Sequence, residues 1–235
     1  MFARAAGVFA GVMRPKQIVK EGLSEYFLYT IEGTETIPNG WSKRLPSFTA
    51  NDVPVINLYK YEEERYGNAV VRLLSFKNNK ECKLGETPIP GGMLKVYRAV
   101  DKEQHLSYEG QSEFKYIPVD EKVELNLGAA QNVVVKPTLM DLKTDGYLFN
   151  TNGDVDGWIE IREFKVEVKN TRDVACKVEI TRNFPTAYWS LEATGDSGTY
   201  EKVDVDTARF TLLLDPRTQK EFRYVLTTKL GRRAE

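Results

Sequence analysis

Between Val123 and Gly128 the chain reads VELNLG, with Val123, Leu125 and Leu127 separated by Glu124 and Asn126. Successive side chains of an extended chain point to opposite faces, so strict alternation of this kind builds a sheet with one buried and one wet face. The same period recurs along the chain, in Val53–Tyr61, Ala69–Phe76, Leu94–Val100, and then near 158–169, 173–182, 187–193, 199–205, 208–214 and 220–229. Turn-forming residues separate these runs at spacings of roughly 8–12 residues, and helical periodicity is nearly absent. Glu25–Ile31, EYFLYTI, is apolar on both faces and reads as a central strand covered on each side. Phe210, Leu212 and Leu214, the turn DPRTQK and then Phe222, Tyr224 and Leu226 read as a closing hairpin.

This pattern predicts an all-β fold of two β-sandwich-like units, the C-terminal one immunoglobulin- or fibronectin-like. The expected division is a linker or short helix over 1–22, a first sandwich over 23–137, an acidic connecting loop over 138–157 and a second sandwich over 158–230. At the N-terminus Arg4 precedes a short apolar run, Ala5–Met13, in the order of a secretory signal, but no small-x-small cleavage site follows.

Charge and composition exclude several functions. Lys and Arg total 33 against 34 Asp and Glu, so no field of one sign draws in nucleic acid. No run of about 18 apolar residues is present to form a transmembrane helix. The single histidine, His105, and two cysteines in unlike settings, Cys82 in a polar segment and Cys176 on an apolar strand face, do not make a closed zinc set. Gly195–Gly198, GDSG, has the letters of a protease nucleophile loop, yet His105 lies in a polar hairpin tip without a protease motif, so the tetrapeptide reads as a turn.

One segment has the spacing of a ligand site. With Asn152 first, Asp154 and Asp156 fall third and fifth, Gly157 sixth and Glu163 twelfth, the order of an EF-hand calcium loop. All-oxygen ligands would suit Ca2+, the one cofactor the chain suggests. Glu163, however, lies within IEIREFKVEV, a strand by its period, so the loop lacks the flanking helix of an EF-hand. In that strand Ile159 and Ile161 are odd-numbered while Phe164, Val166 and Val168 are even, which predicts a β-bulge near Arg162 or Glu163. Trp41, in the turn-like IPNGWSK, is the candidate surface aromatic for stacking on a glycan or partner.

Several stretches carry a resemblance: EYFLYTIEGTETIPNG, VPVINLYKY, LGETPIPGGMLKVYR, YEGQSEFKYIPVDEKVELNLGAAQNV, and FKVEVKNTRDVACKVEI through the last hairpin. The chain resembles the C-terminal β domain of the mucoidy-inhibitor-A-like proteins, a domain of unknown function, over nearly its whole length after about residue 22. The most specific pieces are Pro90-Gly91-Gly92 ahead of Lys95-Val96-Tyr97-Arg98, and Pro118 followed by Gly128. The resemblance implies an all-β module of exported bacterial proteins, usually behind a coiled coil, and it supplies no catalytic residues. Here no coiled-coil half is present, Asn132 stands where an acidic residue is expected, and the acidic loop is an insertion.

The resulting expectation is a non-enzymatic, extracytoplasmic β-sandwich module with a structural or self-assembly role, its partner a second copy of itself or another surface protein. The alternatives are a glycan- or protein-binding module using Trp41 or a Ca2+-organised loop, and a carboxylate-based hydrolase.

Overall fold

A computed structural model of the chain describes residues 18–23, 26–34, 36–45, 48–85, 87–103 and 105–234. The expected signal or linker over 1–17 lies outside the described residues. The fold is all-β. Among the described residues fourteen strands run in order: β1 Ile18–Leu23, β2 Tyr26–Ile31, β3 Ile56–Glu62, β4 Val70–Lys77, β5 Gly92–Ala99, β6 Leu106–Phe114, β7 Lys122–Ala129, β8 Val133–Phe149, β9 Val155–Asn170, β10 Cys176–Asn183, β11 Trp189–Gly195, β12 Thr199–Lys202, β13 Thr207–Leu214 and β14 Gln219–Gly231. One helical turn, α1 Glu63–Tyr66, interrupts the charged connection after β3.

The strands form a six-stranded sheet, ordered β12-β13-β10-β3-β4-β7, a four-stranded sheet, β11-β14-β9-β8, and the two-stranded sheets β5-β6 and β1-β2. The two large sheets enclose one core. Alternation along β10 and β13 turns Cys176, Val178, Ile180, Ala208, Phe210, Leu212 and Leu214 inward, where they meet Val166, Val168, Phe222, Tyr224 and Leu226 of the facing sheet. Phe210 joins the layers directly, its ring centroid 4.9 Å from Phe222 and 5.6 Å from Tyr224.

The core does not divide where the pattern suggested. Strand β3 lies parallel to β10, with Tyr59 opposite Val178 and Tyr61 opposite Ile180, so the six-stranded sheet takes strands from both sides of Pro137. A parallel neighbour needs a long crossover, and no local pattern announces one. The expected loop over 138–157 is instead the outer half of β8, a turn at 150–154 and the start of β9. Among the described residues strand β2 pairs with β1 alone rather than lying inside a sheet, and β1 extends into the segment expected as linker. The predicted bulge is present but on the partner strand: β9 keeps unbroken register with β14, while Met140 of β8 is left between the pairs Leu139–Phe164 and Asp141–Glu163.

Two buried asparagines tie loops to this frame. Asn78 donates to the Pro118 carbonyl at 2.9 Å and accepts from the Gly85 N–H at 2.9 Å. Asn170, 1 % exposed, donates from Nδ2 to the Val174 and Asp215 carbonyls, both at 2.9 Å, and its Oδ1 accepts from the Arg172 N–H at 3.0 Å.

Among the described residues four buried side-chain atoms have no hydrogen-bond partner, the Nε of Arg162, Arg182 and Arg209 and the hydroxyl of Tyr224. Burial pushes this phenol up to about 12 from 10.0, against the pull of the Arg182 guanidinium. The folded state therefore holds a proton that the unfolded state releases, and stability falls as pH rises through the window from about 10 to about 12. The loss for this group approaches roughly 2–3 kcal/mol. Tyr224→Phe is expected to flatten the alkaline limb of a urea-unfolding pH series and to leave neutral-pH stability equal or higher, since it removes an unpaired polar atom. An unchanged alkaline slope would contradict the assignment.

Candidate functional site

Two places on this frame have the makings of a site: the open edge of β8 and a cationic cleft beside Tyr59.

Strand β8 is 17 residues long, about 55 Å of extended chain, and among the described residues has a neighbour on one side only. Its first residues cover the core; beyond Pro137 its own side chains are mostly exposed, although β14, on the far side of β9, stays buried on one face as far as Thr228. Leu139, Met140, Leu142, Tyr147 and Phe149 are all exposed there. At the far end Gly231 (φ +58°) turns the chain beneath β9, where a Cβ would lie 2.2 Å from the Asp156 carbonyl oxygen.

The hydrogen-bond phase of the edge follows from one contact. The Thr171 N–H donates to the Asn132 carbonyl at 2.9 Å, so odd-numbered residues of β9 turn their backbone groups toward β8. Pro137, opposite Val166, then faces the open edge, where its missing N–H disturbs no ladder bond. Because β9 carries no bulge, Glu163 bonds toward Asp141, and Leu142, opposite Arg162, presents its own N–H and C=O outward. Asp141 and Lys143 flank it on the other face, paired at 2.6 Å, and the hydrogen bond from Lys143 holds the Asp141 carboxyl below its usual range.

The cleft, about 290 Å³, is lined by Tyr59, Arg72, Arg98, Glu109, Arg172, Gln131 and Asn132 among others. Arg72 sits on the inward face of β4 between Val70 and Leu74 and is fully engaged. Its Nε and Nη2 donate to Asn57 Oδ1 at 3.2 and 2.9 Å and its Nη1 to Glu109 at 2.6 Å. That last bond holds the Glu109 carboxyl below the usual carboxylate range. Arg98 reaches the other Glu109 oxygen at 3.1 Å. Arg172 lies over the Tyr59 ring, 5.4 Å from its centroid, and donates to its hydroxyl. Burial raises the Tyr59 phenol while Arg172 and Arg72 pull it down.

The residues singled out by spacing are not gathered. Asn150 Oδ1 accepts from the N–H groups of Asn152 and Asp154, each at 2.9 Å, closing the β8–β9 turn. The Asp154 carboxylate accepts from Asn150, and Asp156 pairs with Arg232 at 3.2 Å. Glu163 stands seven residues up β9 from Asp156, about 23 Å along an extended strand, and pairs with Arg223 at 2.9 Å. The calcium set of Asn152, Asp154, Asp156 and Glu163 is thus split by the strand that contains its last member. Among the described residues no three His, Cys, Asp or Glu side chains come together as a metal set.

Trp41 is 74 % exposed, just after the turn closed by its own N–H on the Pro38 carbonyl at 3.1 Å. Ser197 of GDSG lies in the β11–β12 turn, its N–H on Gly195, and His105 pairs with Asp101 at the β5–β6 tip. Cys82 and Cys176 are both free thiols. Among the described residues no helix is long and apolar enough to cross a membrane. Comparison with models of known families, with curated proteins and with solved structures finds no match.

Proposed function

We propose that the chain is a non-enzymatic β-sandwich module whose role is assembly, pairing with a second copy of itself along the open edge of β8. The observation that carries this reading is the outward backbone of Leu142 between Asp141 and Lys143. Two β8 strands run antiparallel about a two-fold axis at Leu142 set Leu142 against Leu142 as a hydrogen-bonded pair. Each Asp141 then faces the partner's Lys143 in the closer, non-hydrogen-bonded position.

Charges on an edge strand usually discourage pairing. One sign would do so here, but an Asp and a Lys placed symmetrically about the axis are self-complementary. Pro137, without an edge N–H, and the bulge at Met140 confine pairing to the outer part of the strand. Exposed Leu139, Met140 and Leu142 are the apolar surface that a second copy covers.

Light scattering across a concentration series tests this. The wild-type chain is expected to approach twice the mass of one chain at about 100 µM, a range typical of weak edge contacts. Asp141→Lys sets like charges opposite each other and is expected to weaken association about tenfold; adding Lys143→Asp is expected to restore it. A wild type that stays a single chain throughout would end the proposal. A second, binding reading rests on the exposed Trp41 indole, and an extracytoplasmic setting accords with either reading.

A further inference from the structure

We infer that the cleft beside Tyr59 is a binding site for a small dianion of the phosphate-monoester class. Three guanidiniums and one carboxylate line it, Arg72, Arg98, Arg172 and Glu109, a local excess of two positive charges in a chain whose formal net charge is −1. Arg72 is consumed in holding Glu109 and Asn57. Arg98 uses only Nε and Arg172 only Nη1, and among the described residues their other donors have no partner.

These two guanidiniums come from separate elements, Arg98 from β5 and Arg172 from the β9–β10 connection. A tetrahedral group offers three acceptor oxygens and can take hydrogen bonds from two such forks at once, whereas a single carboxylate presents one edge. The site is also held in place before any ligand arrives. Asn170 accepts from the Arg172 N–H, the Arg217 N–H donates to the Arg172 carbonyl at 3.0 Å, and the Tyr59 ring supports the guanidinium. Glu109 lies between Arg72 and Arg98, paired with both, and offsets the repulsion between the two cations. The Gln131 and Asn132 amides at the rim are suited to the hydroxyls of an ester's organic part.

Titration calorimetry on the whole chain at low ionic strength tests the site, with inorganic phosphate and glycerol 2-phosphate as probes, succinate as the dicarboxylate arm and glycerol as the neutral control. Saturable one-to-one binding of both phosphates is expected, tighter than succinate and weakened by added NaCl. Arg98→Ala changes a largely exposed side chain, so folding is preserved, and it is expected to weaken binding at least tenfold while Arg98→Lys retains part of the affinity. Arg209→Ala, in a separate ion pair on β13, is expected to leave affinity unchanged. Failure of both phosphates to saturate by about 10 mM, a weaker limit than any organised charged site needs, would overturn the inference. So would an Arg98→Ala protein that binds as well as the wild type.

Discussion

Replacing Phe210 by alanine is expected to lower the unfolding free energy by about 3–5 kcal/mol, the usual cost of truncating a fully buried phenylalanine. Its ring is 0 % exposed and touches Phe222 and Tyr224 of the opposite sheet and Tyr200 of the neighbouring strand, so its loss opens a void between the layers that neither can close by itself. For a chain of this length the midpoint of thermal unfolding should fall by roughly 10 °C. Phe210→Leu, which keeps most of the volume, should cost well under half as much. If calorimetry returned similar midpoints for Phe210→Ala and the wild type, the two large sheets would not share this core.

Asn170→Ala is expected to be comparably damaging for a different reason. It removes few apolar atoms, but it strips hydrogen bonds from the Val174 and Asp215 carbonyls and from the Arg172 N–H in one stroke. Each buried polar group left without a partner costs about 1–3 kcal/mol, so a total near 3–5 kcal/mol follows. Asn170→Asp separates geometry from donors: the size and the acceptor for Arg172 persist, while a carboxylate now faces two carbonyl oxygens. It is expected to be at least as unstable as the alanine variant at neutral pH and to recover partly as acid protonates the new side chain. Denaturant unfolding at two pH values checks both, and an Asp variant as stable as wild type at neutral pH would refute the role given to Nδ2.

The strands were legible because most have one face on a core. β10 and β13 alternate cleanly, and the structure buries Val178, Ile180, Phe210 and Leu212 as their period requires. The outer half of β8 reads as a loop because its own side chains there have no buried face, so Asp141, Lys143 and Asp145 can occupy a strand without breaking any burial rule. The phase slip in β9 was real, yet its cause lay in the partner strand at Met140, which a one-strand pattern cannot reveal. The pairing of β3 with β10 joins residues more than a hundred positions apart and leaves no local trace.

The candidate sites were less legible. Arg72, Arg98, Glu109 and Arg172 come from four separate places in the chain, so no spacing connects them. A signal did exist: Arg72 interrupts the inward series Val70, Arg72, Leu74, and a charge on an apolar face requires a partner or a ligand. The EF-hand spacing, by contrast, counted residues correctly but assumed a turn where the chain is extended, and a strand carries Glu163 out of reach.

Amide hydrogen exchange across a concentration series tests the assembly proposal most directly. In a single chain the Leu142 and Thr144 N–H groups face the open edge and exchange rapidly, while the Lys143 N–H, turned toward β9, is protected. Pairing of two β8 edges predicts that Leu142 and Thr144 gain protection as concentration rises and lose it again in Asp141→Lys, with Lys143 unchanged throughout. Rapid exchange at Leu142 and Thr144 at every concentration would contradict the account.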